Sequence, residues 1–89
     1  MPAYKVAYDK PVYSRMRKLS LKTREAIDDA VLELSDDPYP DGCKKLEGRD
    51  DAYRIAVGNS RVIYVIVEDE VLVLIIKIGP RKEVYKDKK

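Results

Sequence analysis

Eighty-nine residues, 45% apolar and 38% charged, are enough for one small globular domain over residues 1–89 and too few for two. With no histidine, one cysteine (Cys43) and four glycines outside any GxGxxG or GxxxxGK pattern, the chain excludes histidine-based triads, zinc and iron–sulfur sites built from histidine or thiolates, and phosphate-cradling glycine loops. The net charge of +2 is unevenly placed: residues 1–20 carry five Lys/Arg against one acid, whereas residues 21–43 carry two against seven.

Tyr4, Val6 and Tyr8 alternate with Ala3, Lys5 and Ala7, which predicts a short strand. Asp9 is placed to cap a helix that tolerates Pro11 in its first turn, presents Val12, Tyr13 and Met16 on one side, and ends near Lys18. Ser20 caps a second helix to about Ser35. Its residues Ile27, Ala30, Val31 and Leu34 form one apolar stripe at helical period, opposite the solvated charges Arg24, Glu25, Asp28, Asp29 and Glu33. The short turn between these helices predicts a helix hairpin. Asp36–Gly42 is dense in breakers and reads as a loop. Three strands follow: one containing Tyr53, Ile55 and Val57, a second over Val62–Val67, and a third over Val71–Ile78 that Gly79-Pro80 stops. Gly58-Asn59 and Glu68–Glu70 are the turns between them.

These elements predict an α+β fold: an N-terminal strand, a helix hairpin and a three-stranded antiparallel meander, with the helices on one face of the sheet. A two-residue turn at Gly58-Asn59 pairs Val57 with Ser60, Ala56 with Arg61 and Arg54 with Ile63. A three-residue turn at Glu68–Glu70 pairs Ile66 with Leu72 and Tyr64 with Leu74, so Leu72, Leu74 and Ile76 are expected in the core beside Tyr53 and Tyr64. The opposite face then carries Arg54, Arg61 and Lys77 at one end and Ile63, Val65, Val67, Val71, Val73 and Ile75 beyond them. An apolar second face calls for a cover: the C-terminal tail, a second copy or a protein partner. The longest apolar runs are six residues, far short of the roughly 20 that span a bilayer. The start MPAYKVAYDK lacks a secretory pattern, and a lone cysteine suits a reducing compartment, so the expectation is a cytoplasmic protein without membrane contact.

The order strand, helix hairpin, meander and basic tyrosine-bearing tail resembles the RelE/ParE toxin superfamily. Lys45-Leu46-Glu47-Gly48 is similar to its K-L-x-G, and Ala52-Tyr53-Arg54-Ile55-Ala56-Val57-Gly58 to its L-Y-R-I-x-V-G. Arg61-Val62-Ile63-Tyr64 resembles its Y-R-V-I-Y, and Ile78-Gly79-Pro80-Arg81-Lys82-Glu83-Val84-Tyr85 its I-G-H-R-x-x-V-Y ending. The resemblance implies the small α+β fold of the microbial ribonucleases and the toxin role of a type II toxin–antitoxin system. RelE-type members cleave mRNA in the ribosomal A site, where they meet mRNA and rRNA; ParE-type members keep the fold but poison DNA gyrase. Either type is held inactive in a hetero-oligomer with an antitoxin, a partly disordered chain that folds on binding.

Carried over residue by residue, the resemblance implies three catalytic groups. Arg61 stabilises transition-state charge, Arg81 contacts the phosphate and can protonate the leaving group, and Tyr85 acts on the 2′-hydroxyl. Arg54 occupies a position that is basic in the nucleases and is expected to bind substrate. Lys44 and Lys45 can steer RNA phosphates, and Lys77 joins them by register alone. The expected chemistry needs no metal or cofactor, because fixed guanidinium groups meet phosphate oxygens in a charged fork. Arg61 has a plainer alternative, an ion pair with the Asp50/Asp51 region; Arg81 can be a solvated loop residue and Tyr85 an anchor for the tail. Two departures stand out: Ala56 where ribosome-dependent members carry a second lysine, and Pro80 where many relatives have histidine.

Overall fold

Asp9 and Ser20, both extended in backbone, start the two helices of the hairpin. The Asp9 side chain accepts from the Lys10 N–H at 3.1 Å, with Pro11 in the first turn, and α1 runs Lys10–Met16. The Ser20 hydroxyl accepts from the Thr23 N–H at 3.2 Å, a cap worth about 1 kcal/mol, and α2 runs Leu21–Asp36. Pro38 lies just beyond the end of α2, where a proline cannot continue a helix. The helices bury Val12 and Met16 from α1 and Ile27, Val31 and Leu34 from α2. The computed structural model describes residues 3–80, so Arg81, Tyr85 and the rest of the tail lie outside the described residues. No helix within them is long and apolar enough to cross a membrane.

Beneath the helices lies a sheet of β1 (Lys5–Tyr8), β2 (Lys44–Lys45), β3 (Ala52–Val57), β4 (Ser60–Val67) and β5 (Leu72–Pro80), in the order β1-β5-β4-β3-β2. The first strand joins β5 in parallel and the other pairings are antiparallel. The hairpin of β3 and β4 has the expected register, Val57 with Ser60 and Arg54 with Ile63; Gly58 takes φ 59° in the first central position of its turn. The two-residue edge strand β2 was not expected. It is the continuation of the chain past Cys43, pairing Lys44 with Arg54 and Lys45 with Tyr53.

The register of β4 on β5 corrects the sequence expectation. Val71 belongs to the connection, not to the strand. Glu68–Glu70 form a 3-10 turn, Val71 closes it in the left-handed region at φ 51° and ψ 52°, and Val67 then pairs with Leu72. Ile66 therefore faces Val73 and Tyr64 faces Ile75, one residue away from the expected partners. The core receives Val73, Ile75 and Ile78 in place of Leu72, Leu74 and Ile76. An irregularity between Ile63 and Tyr64 lets β5 carry one extra residue, so Ile63 meets Lys77 and Val62 meets Ile78. On the far face, Ala52, Ile63 and Val65 are buried, and Val67, Leu72 and Leu74 are half-buried. Gly79 and Pro80 extend β5, which was expected to stop before them.

Phenols tie the loops to this frame. Tyr64 is fully buried and donates to the Pro38 carbonyl at 2.8 Å; its ring stacks on Tyr53, which meets Tyr39 edge-on at 5.3 Å. Tyr4 and Tyr39 both donate to the Glu68 carboxylate, joining the first strand, the loop after α2 and the turn before β5. Those two hydrogen bonds hold the Glu68 carboxyl below its ordinary value. On α2, Asp28 accepts from Tyr8 at 2.7 Å.

Two outcomes follow. Val71→Gly relieves a β-branched residue of a left-handed backbone at a 39% exposed site, where little burial is lost. It raises stability by about 1 kcal/mol, about 4–8 °C in Tm by calorimetry; a lower Tm would show that no strain resides there. Glu68→Gln lowers Tm at neutral pH. The contribution of a carboxylate with a depressed folded pKa is present above its unfolded value and lost as pH falls through the folded one. Melts of both proteins from neutral to strongly acidic buffer should therefore converge in acid.

Candidate nucleic-acid interface

Alternation along the strands assigns each polar residue to a face. On the face away from the helices, one rung of the sheet runs Lys44, Arg54, Ile63, Lys77 across β2, β3, β4 and β5. Neighbouring strands lie about 4.8 Å apart, so this rung spans about 14 Å. The next rung is Ala56, Arg61, Gly79. Arg61 is thus the diagonal neighbour of both Arg54 and Lys77, at about 7–8 Å from each. The three cations form a triangle around Ile63, whose side chain is 6% exposed and makes an apolar floor. Arg54, Arg61 and Lys77 are half-buried, and Lys44 is exposed at the rim.

The same register places Lys5 and Ala7 beside Leu72 and Leu74 on this face. Lys5, Lys44, Arg54, Arg61 and Lys77 are its charged strand positions, and none of the paired strand residues there is acidic. The carboxylates of the described residues lie outside these paired positions: five along α2 (Glu25, Asp28, Asp29, Glu33 and Asp36), Glu68–Glu70 in the turn before β5, Glu47, Asp50 and Asp51 between β2 and β3, and Asp9, Asp37 and Asp41 in the other connections.

Arg61 is anchored through one guanidinium nitrogen, Nη1, which donates to the Ser60 carbonyl at 3.0 Å and the Gly58 carbonyl at 3.4 Å. The expected alternative, an ion pair with Asp50 or Asp51, does not form: Asp51 is held by Arg49 at 3.2 Å, and Asp50 lies 3.8 Å from the Lys45 ammonium. A guanidinium fixed by the turn's own carbonyls is pre-positioned for a bidentate anion contact.

Four of the seven sequence-derived candidates, Lys44, Arg54, Arg61 and Lys77, come together on this face. Lys45 does not. It pairs with Tyr53, whose ring is on the helix side, so its side chain leaves from the opposite face. Arg81 and Tyr85 lie outside the described residues. Of the other tyrosines, Tyr4, Tyr8, Tyr39 and Tyr64 all have raised pKa values. Burial acts first on Tyr8 and Tyr64, and hydrogen bonding to Glu68 acts first on Tyr4 and Tyr39. None of these four suits deprotonation of a hydroxyl near neutral pH. Ala56, exposed beside Arg61, is the small residue on an otherwise cationic edge.

Comparisons with known proteins agree with this architecture. Residues 9–85 match the family model described as the ParE toxin of the type II toxin–antitoxin system parDE. A Methanocaldococcus jannaschii protein named "Putative toxin RelE1" is 29% identical over 87 residues, covering 94% of this chain and 97% of its own length. The isolated Escherichia coli RelE toxin superposes with a TM-score of 0.80 at 29% identity, over 96% of this chain and 94% of the other. The RelE of the archaeal RelE–RelB complex from Pyrococcus horikoshii gives 0.78 at 28% identity, over 89% and 96%. With the family model spanning most of the sequence and the fold shared throughout, the chain belongs to the RelE/ParE superfamily of type II toxin–antitoxin toxins.

Proposed function

We propose that this toxin is an endoribonuclease that cuts mRNA on the ribosome by transesterification, without a metal. The observation that carries the reading is the triangle of Arg54, Arg61 and Lys77 around Ile63, on a sheet face whose paired strand positions hold no carboxylate. In the reaction the 2′-oxygen forms a bond to the adjacent phosphorus and the bond from phosphorus to the 5′-oxygen breaks. The products are a 2′,3′-cyclic phosphate and a 5′-hydroxyl. One proton leaves the 2′-hydroxyl and one is delivered to the 5′-oxygen. Charge accumulates on the non-bridging oxygens in between, and a guanidinium held in place stabilises it without reorganising. Arg61 is assigned that task, with Arg54 and Lys77 holding the flanking backbone and Lys44 steering it at the rim. By resemblance to the family motif, Arg81 serves the phosphate and the leaving oxygen and Tyr85 the 2′-hydroxyl.

The same face suits an antitoxin. RelE relatives crystallise with RelB partners, and a face that combines five cations with the apolar residues Leu72, Leu74 and Val67 fits an acidic, partly disordered chain that folds as it binds. Occupying this face would also block substrate. The matched ParE description favours a second reading, a gyrase poison in the same type of system. Such a toxin has no need of the basic triangle, and its induction should damage DNA while leaving mRNA ends intact.

Controlled expression with mapping of mRNA ends separates the two. The parent arrests growth and produces ribosome-phased cuts. Arg61→Ala lowers cleavage on purified ribosomes by about 10²–10³-fold, the range for removing one preorganised donor from developing negative charge. Arg54→Ala weakens substrate binding, and Lys45→Ala, on the opposite face, has the smaller effect of the two. Full cleavage by Arg61→Ala would remove that residue from the chemistry, and intact mRNA under the parent would sink the nuclease.

A further inference from the structure

Strand neighbours do little to hold the Arg61 side chain. Directly across the sheet it faces Ala56 on β3 and Gly79 on β5, both too small to fix a long side chain by packing. Its hydrogen bonds among the described residues run from Nη1 to the Ser60 carbonyl at 3.0 Å and to the Gly58 carbonyl at 3.4 Å. The Ser60 carbonyl belongs to the preceding residue and comes with the strand. The Gly58 carbonyl is within reach only because of how the turn is built.

Val57 pairs with Ser60, so Gly58 and Asn59 are the central residues of a two-residue loop. Gly58 takes φ 59° and Asn59 stays outside the positive-φ region, a combination that defines a type II′ turn. The other common hairpin turn, type I′, needs positive φ at both positions and is favoured by the reverse order, Asn-Gly. The two types share loop length and register and differ by turning over the central peptide: ψ of the first residue and φ of the second each change by about 150–170°. The carbonyl of that peptide is the one from Gly58. In the type II′ form it reaches Arg61 on the far face; turned over, it points away. A Cβ on Gly58 would meet nothing within 4 Å, so crowding does not call for glycine here. The backbone conformation does, and with it the direction of one carbonyl.

Nη1 carries two N–H groups and meets two carbonyls, which leaves Nε and Nη2 for an anion. That edge is suited to a bidentate contact: Arg49 turns the same two nitrogens to the two carboxylate oxygens of Asp51, at 3.2 and 3.4 Å. We propose that Gly58 is a positioning residue for the reaction: its type II′ turn aims the Gly58 carbonyl at Arg61 Nη1 and so presents the Nε/Nη2 edge to the phosphate. This rests on the assignment of Arg61 to transition-state charge above. Gly58 touches no reacting atom and acts through Arg61 alone.

The test exchanges the order of the two turn residues in the full-length protein. Gly58→Asn with Asn59→Gly favours type I′, keeps the loop length and the Val57–Ser60 register, and should melt within a few degrees of the parent. On purified ribosomes it lowers kcat about 10-fold with KM unchanged, because a misplaced guanidinium loses transition-state stabilisation and not ground-state binding. Made in Arg61→Ala, the same exchange lowers cleavage no further, since the group it positions is gone. Side-chain NMR of the free proteins should show slower rotation of the Arg61 Nη1 group in the parent than in the exchange variant. Parental kcat in a folded exchange variant would overturn the positioning role and leave the nuclease reading standing. Equal losses with and without Arg61 would overturn it by showing a general effect of the turn on the fold. Fast rotation of Nη1 in the parent would overturn it even if the exchange variant failed to fold. Absence of cleavage by the parent would remove the nuclease reading, and this role with it.

Discussion

The left-handed turn at Val71 determines which way the side chains of the first half of β5 point. Side chains alternate with a period of two, so inserting one residue into the connection between β4 and β5 exchanges the two faces of the whole strand. With Val71 spent on closing the 3-10 turn, Val73 and Ile75 enter the core under α1 and α2, and Leu72 and Leu74 turn away. Left uncorrected, that exchange would carry Lys77 into the helix side as well. The irregularity opposite Ile63 and Tyr64 absorbs one more residue and restores the phase, so that Ile78 is buried and Lys77 emerges beside Ile63. A strained residue, Val71, and a bulge at Ile76 thus convert one strand into two segments of opposite phase. The first serves the core and the second the candidate site.

That arrangement gathers like charges. Arg54 and Lys77 are both diagonal neighbours of Arg61 by register, and the strands that hold them cannot shift without disturbing Val62, Tyr64 and Ile78 on the other side. The positions of these basic residues are therefore set by the core. A partner that binds the folded chain and not the unfolded one adds its own binding energy to the stability of that arrangement.

Much of this was legible in the sequence, and the parts that were not have identifiable physical causes. The helix hairpin followed from the Asp9 and Ser20 caps and the stripe Ile27, Val31, Leu34, because local hydrogen bonding and period are both encoded within a few residues. The β3–β4 register followed from Gly58-Asn59, whose glycine supplies the positive φ that its turn needs. The turn before β5 gave no such signal. Nothing in Glu-Asp-Glu-Val announces a valine in the left-handed region, and Val71 reads as the start of an apolar run. Lys77 was nonetheless assigned to the correct face, since the one-residue error in register and the unforeseen bulge cancel. The edge strand β2 is too short to show a period, and that is why Lys44 and Lys45 were grouped although alternation sends them to opposite faces. The Tyr4–Glu68–Tyr39 knot was likewise invisible: its members are far apart in sequence and meet only once the sheet has formed.

The distribution of charge matters more to this molecule than its sum. A net charge of +2 gives no strong pull on polyanions at a distance. Locally the picture is different, because the acids lie along α2, in the turn before β5 and in the connection from β2 to β3, while the paired strand positions of the far face and α1 carry only basic charges. Within a Debye length of about 8–10 Å such contrasts survive physiological salt. The helix hairpin therefore does more than cover the core: its two members carry opposite charge, with Lys10 and Arg15 on α1 and Glu25, Asp28, Asp29, Glu33 and Asp36 against Lys22 and Arg24 on α2, so the helix side is divided in sign where the strand positions of the far face are basic throughout.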